Sequence, residues 1–194
     1  MATVPTALTA AVGDKVAAST FNSGVKDPIN FLLKVTSGNR AAVCLTQNSA
    51  QTGWTDSAFT AVTFDTETLD NDAQHSTSSN TSRVVIGTTL GWYLVSGTYA
   101  SASNTNGNNR RAAIYLNGAV INGTQAVAAL GRKADSTSVG LCTVTTPWFL
   151  VQSTASGDYI ELMGYMSTGS AGTIGTAVSA SYRSSLTVVY LGSA

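Results

Sequence analysis

Gly91-Trp92-Tyr93-Leu94-Val95-Ser96-Gly97-Thr98-Tyr99-Ala100 decides how this chain is read. A glycine opens the stretch, two large rings follow, and aromatic and β-branched residues favour an extended backbone. Successive side chains of a strand point to opposite faces. Tyr93 and Val95 therefore share one face, and Trp92 and Leu94 share the other. Both faces are apolar at this end. That is expected of an inner strand covered by more than its own sheet.

Working outward, the flanks repeat the pattern in shorter units. Residues 110–116 alternate, with Ala112, Ile114 and Leu116 on one face and Tyr115 on the other. Asn117-Gly118 follows, a dipeptide that suits a two-residue hairpin turn. Residues 139–151 contain a strand ending in Trp148-Phe149-Leu150-Val151, and 127–136 are ambiguous, a strand with a mobile tip being one reading. Gly157-Asp158 turns the chain into 159–166, and 185–191 close it. Upstream, 41–45, 58–64 and 83–86 read as strands, with an acidic loop over 65–72. Roughly nine or ten short strands separated by turn residues predict an all-β sandwich or barrel.

The chain has 194 residues, enough for one domain with a two-sheet core. Charged residues make up only 10% of it, against about 25% in typical soluble proteins. Ser, Thr, Gly, Ala and Asn supply the polarity, a surface suited to packing against copies of itself. The formal net charge is 0, so no electrostatic footprint points to nucleic acid or an anionic membrane. Residues 1–5 carry no basic run and no apolar core of a signal peptide. No apolar stretch is long enough to span a membrane. Cys44 and Cys142 sit in apolar, strand-like surroundings and read as buried free thiols, a disulfide being the alternative.

Residues 1–36 differ from the rest. Asp14 suits a helix cap ahead of Val16, Ala17 and Phe21. Asp27-Pro28 suits a second start, with Ile29, Leu32 and Leu33 at helical spacing. Helices this short need a surface to lie on. That surface is either one end of the same subunit or a neighbouring protein. The division is therefore a helical segment over 1–36 and a β domain over 37–194.

The order of features over about residues 41–192 resembles the C1q/TNF-like jelly roll. Phe64 is followed by Asp70 and Asn71, then the short strand Arg83-Val84-Val85-Ile86, then Gly91-Trp92-Tyr93-Leu94-Val95 in place of a G-x-Y-x-apolar strand. Leu116-Asn117-Gly118, Gly157-Asp158-Tyr159-Ile160-Glu161-Leu162 and Ser185-Leu186-Thr187-Val188-Val189 match the later motifs in order. The aromatic content of the short strand is missing, and 123–145 are longer than the pattern. The resemblance implies a homotrimer of jelly rolls around a tightly packed axis. The opening is similar to that of tailed-bacteriophage structural proteins. It carries Gly13-Asp14 to Phe21-Asn22, then Val25-Lys26-Asp27-Pro28-Ile29-Asn30-Phe31-Leu32-Leu33. This implies a virion location and a particle-attachment role for Val16, Phe21, Val25, Ile29, Phe31, Leu32 and Leu33.

Little in the chain suggests chemistry. The single histidine, His75, lies in a Ser/Thr/Asn segment with nothing evident to hold the ring, so an exposed loop position is expected. Asp158 and Glu161 are the best paired carboxylates, but no pocket is marked around them. The glycine-rich stretch 169–175 has no lysine and no following helix, which excludes a phosphate cradle. Asp65, Glu67, Asp70 and Asp72 offer oxygens of the kind Ca²⁺ takes, but without the EF-hand order they read better as a solvated loop. Trp92 and Trp148 read as core, and Trp54, in a loop, as the exposed ring that would contact a glycan. The expectation is a non-enzymatic virion protein, a trimeric knob attached through 1–36 to the tail tip or fibre. The alternatives are a capsid decoration or head-fibre protein, and a module that recognises a host surface glycan.

Overall fold

The computed structural model describes residues 41–87, 90–103, 109–129, 142–168, 174–179 and 182–192. These residues form twelve strands. They are β1 (Ala42–Thr46), β2 (Phe59–Ala61), β3 (Thr66–Asp70), β4 (Arg83–Val85), β5 (Gly91–Ser101) and β6 (Asn109–Leu116), then β7 (Ala119–Val120), β8 (Ala126–Ala129), β9 (Cys142–Thr145), β10 (Phe149–Ser153), β11 (Tyr159–Ser167) and β12 (Ser185–Gly192). They build two six-stranded antiparallel sheets, the expected jelly-roll sandwich. The first runs β10-β5-β12-β1-β3, with β9 also on β5. The second runs β2-β11-β6-β7, with β4 on β11 and β8 on β6. The predicted helices of 1–36, and with them every predicted attachment residue, lie outside the described residues.

The opening stretch is the long inner strand of the first sheet. β5 pairs with β12 on one side and with β10 and β9 on the other. Gly91 begins it at φ 145°, where a Cβ would fall 2.2 Å from the carbonyl oxygen of Gly192. The close approach of the β12 end is therefore open only to glycine. Tyr93, Val95 and Tyr99 are fully buried between the sheets, facing Ile114, Ile160, Leu162 and Met166 of the second sheet. The Tyr93 hydroxyl donates to the Ile86 carbonyl at 2.9 Å, and the Tyr99 hydroxyl to that of Gly175 at 2.8 Å. Burial pushes the Tyr93 hydroxyl up to about 12, so it remains a donor.

The Asn117-Gly118 turn is as expected: both residues adopt positive φ, 53° and 77°. That is the requirement of a two-residue turn matched to strand twist. Two expectations are revised. Residues 66–70 form strand β3 on the edge of the first sheet rather than an acidic loop. Charge is tolerated there because an edge strand has one open side. Residues 58–64 pair as a strand only over Phe59–Ala61. Of the 127–136 stretch, the described part belongs to strand β8, which starts at Ala126 and pairs along β6, and 130–136 lie outside the described residues.

Cys44 and Cys142 are free thiols, but each is only half-buried. Their register explains why they do not pair. Cys44 lies opposite Thr187 and Leu69 on the outer side of the first sheet. Cys142 lies opposite Ser101 and packs on the core.

Candidate functional site

The alternation that buries Tyr93 and Val95 turns Trp92 and Leu94 outward. Registration across the first sheet then places like residues beside them. Leu150 lies opposite Leu94 on β10, and Gln152 opposite Trp92. Val189 lies opposite Leu94 on β12, and a bulge at Tyr190/Gly192 sets Leu191 beside Trp92. Ala42, Cys44 and Thr46 continue the row on β1, and Leu69 on β3. None of these residues is charged. Trp92 is 39% exposed, Leu150 52% and Leu191 50%. With Gly192 they line a shallow apolar hollow of about 370 Å³.

The outer face of the second sheet is built differently. Its side chains include Arg83 and Tyr159, Glu161, and Arg111 and Tyr165. Arg83 lies over the Tyr159 ring at 4.1 Å, and Arg111 over the Tyr165 ring at 4.9 Å. Phe59 packs between Tyr115 and Tyr165. Charges and amphipathic rings of this kind suit a face in water. The two outer sides therefore differ in kind: one carries a charged pair and cation-capped rings, the other the uncharged row around Trp92.

The tryptophans reverse the expected assignment. Trp54 is only 9% exposed, and its ring stacks on Tyr99 with centroids 5.5 Å apart and planes 18° apart. Gly164 leaves the space for both rings, since a Cβ there would lie 2.8 Å from each. A ring covered in this way offers no face to a sugar. Trp92 and Trp148, expected in the core, are exposed, Trp148 directly before β10. Apolar runs mark a strand but do not say which face a second copy or a second sheet will cover.

His75 is also corrected. Its side chain is fully covered, and Nδ1 lies 2.8 Å from Glu67 Oε1 and Nε2 3.1 Å from the Thr81 carbonyl. Both ring nitrogens are thus engaged, leaving none to serve as a base. The acidic run is similarly occupied. Asp65 accepts from the Asn48 amide at 2.7 Å. Asp70 accepts from the amides of Asp72, Gln74 and His75 at 3.4, 3.0 and 2.9 Å. These carboxylates organise a turn, and among the described residues no group of them is arranged to hold a metal ion.

Asp158 and Glu161 have structural work as well. Asp158 Oδ2 accepts from the Thr154 and Ala155 amides and the Ser153 hydroxyl, and Oδ1 from Asn117 Nδ2. The Asn117 bond, with the amides behind it, holds the carboxyl below its ordinary range. Glu161 Oε1 accepts from the Ser82 hydroxyl at 2.7 Å and faces Arg83 Nε at 3.5 Å. Asp158 locks the turn into β11, and Glu161 sits on the outer face of that strand. They do not flank a cleft.

No protein-family model and no curated protein matches this chain. Solved structures do match it in shape. The crystal structure of murine APRIL at pH 8.0 aligns with a TM-score of 0.54 at 11% identity, covering 78% of this chain and 99% of that one. Murine APRIL at pH 5.0 aligns with a TM-score of 0.53 at 12% identity, over the same shares. The fold is a TNF-like jelly roll. At this identity the likeness is one of architecture, and function must be argued from the faces.

Proposed function

We propose that this chain is a non-enzymatic structural protein of a bacteriophage particle. Three copies close on the outer face of the first sheet to make a knob, and residues 1–36 attach the knob to the tail tip or fibre. One observation carries the assembly: an uncharged row of side chains runs across the outer side of the first sheet from β10 to β3, with Trp92, Leu150 and Leu191 exposed on it. Exposed apolar surface of this extent marks an interaction site. The occupant is further copies of the same chain. No charge in that row selects a foreign partner, and the opposite sheet carries the Arg83–Glu161 pair and the amphipathic rings that water favours. The number three rests on the jelly-roll architecture, and the particle on the resemblance of residues 13–33.

The test is the mass in solution. Sedimentation at micromolar concentration is expected to give three chains. Trp92→Glu or Leu150→Glu buries a charge in the interface and is expected to give a folded monomer with an unchanged β-sheet spectrum. A wild-type monomer sinks the proposal, and so do variants that remain trimeric.

A further inference from the structure

Asn-Gly occurs at 106–107, 117–118 and 122–123, and the first of these lies outside the described residues. The other two flank β7, each at an exposed turn. Asn-Gly suits a tight turn, and the same dipeptide can react with itself. Glycine has no Cβ to shield its backbone nitrogen, so that nitrogen can close on the Cγ of the asparagine before it. Exposure does not separate the two turns. The hold on the asparagine amide does.

Asn117 is held by both ends of its side-chain amide. Its Nδ2 donates to Asp158 Oδ1 at 2.8 Å, and its Oδ1 accepts from the Tyr159 backbone amide at 2.9 Å. Asp158 is itself fixed by Ser153, Thr154 and Ala155. Its lowered carboxyl keeps the acceptor ionised near neutral pH. For Cγ to reach the Gly118 nitrogen, the side chain must leave both partners.

The second turn is held through its flanks. The Thr124 amide donates to the Ile121 carbonyl at 3.2 Å, and the buried Thr124 hydroxyl accepts from the Ile114 amide at 3.1 Å. Gly123 takes a φ of 88°, which glycine adopts freely. Asn122 itself stands in solvent, and among the described residues no hydrogen bond holds its side chain. Its Cγ is free to swing while the rest of the turn stays closed.

We infer that Asn122-Gly123 is a site of spontaneous modification in the folded protein, converting Asn122 to isoaspartate and aspartate, whereas Asn117-Gly118 is protected by its own hydrogen bonds. The Gly123 nitrogen loses its proton to solvent and forms a bond to Asn122 Cγ. The bond from Cγ to Nδ2 breaks, and Nδ2 leaves as ammonia with a proton from solvent. The resulting succinimide takes up one water and opens at either carbonyl. No oxidant or enzyme is needed. One carboxylate is gained, which tips the balance of 10 basic and 10 acidic residues towards acid. The turn joins two strands of the second sheet, so the site is separate from the uncharged row of the first and does not depend on trimer formation.

The experiment incubates the full chain at mildly alkaline pH in oxygen-labelled water, folded and in urea, and follows both sites by peptide mass spectrometry. In the folded chain Asn122 is expected to convert with uptake of one labelled oxygen. Asn117 should convert about a hundredfold more slowly, because two side-chain hydrogen bonds must break first. In urea the two rates should converge. Asp158→Ala frees the Asn117 amide nitrogen and should raise conversion there about tenfold, with Asn122 unchanged. Asn122→Gln should remove the modification from its turn. Should Asp158→Ala not fold, the comparison of folded and urea-unfolded wild type carries the test. The inference is overturned if Asn122 stays unconverted in the folded chain while the unfolded chain reacts. It is equally overturned if Asn117 converts as fast as Asn122 in the folded chain, or if Asn117 stays as slow in folded Asp158→Ala as in wild type.

Discussion

Single residues show where polar groups do structural work. Asp158 gathers four hydrogen bonds and ties the 153–155 turn and Asn117 to the start of β11. Asp158→Ala leaves buried amides unmet and should cost about 2–3 kcal/mol near neutral pH, read by urea unfolding. The sign of its pH dependence follows from the lowered carboxyl. The stabilisation is full above the ordinary aspartate value of 3.8 and is lost as pH falls through the lower folded value. The gap between wild type and variant should therefore close below pH 3.8 and remain constant above it. A gap that widens in acid would refute this assignment. Trp54 makes a second case. Its ring fills the space between Tyr99 and Gly164. Trp54→Ala should cost about 3–5 kcal/mol. A loss under 1 kcal/mol in the same unfolding experiment would return the ring to the surface.

At the scale of elements, the edge of the first sheet is held by a side-chain clamp. β3 pairs with β1 on one side only, and residues 70–75 fold back along it through Asp70. His75 joins Glu67 of β3 to the Thr81 carbonyl. His75→Ala removes both contacts, so amide exchange over residues 66–82 should accelerate while β5 and β11 stay protected. Uniform acceleration would mean that the clamp holds the whole domain. This region also shows what was legible in the chain. β5, β11, β12 and the Asn117-Gly118 hairpin were readable because each carries its own signal: a period-two pattern or a turn dipeptide. β3 was not, because Thr66–Asp70 is polar and becomes a strand only by pairing with β1. The His75 clamp joins residues eight and six positions apart through a folded turn, which no spacing rule marks. The burial of Arg110 has no mark in the sequence for a related reason: Arg110 and Arg111 are adjacent and alike, and only β6 alternation turns one inward and the other onto Tyr165.

The whole molecule has a direction. The apolar outer face meets the point where the chain enters the sandwich: Ala42 opens β1 opposite Val189, and Val189 lies opposite Leu94, next to Trp92. Tyr190 donates its amide to the Ala41 carbonyl, which fixes that entry against β12. In the proposed trimer, three copies meeting on this face would bring their three entry points to the same end of the assembly, close to the axis. Residues 1–36 of all three would then leave together, as an attachment to one place on a particle requires, and would gain from one another by raised effective concentration. On the proposed assembly, the opening stretch does two jobs with its two faces, Tyr93 and Val95 for the core and Trp92 and Leu94 for the contact between copies. The two can be separated by experiment. Deleting residues 1–36 should leave the solution mass at three chains and the thermal unfolding unchanged, because neither face of β5 is touched. Incorporation into particles should fall to background, measured by the amount of the truncated chain that co-sediments with purified virions. Co-sedimentation at the wild-type level would show that the knob, and not the segment ahead of it, makes the attachment.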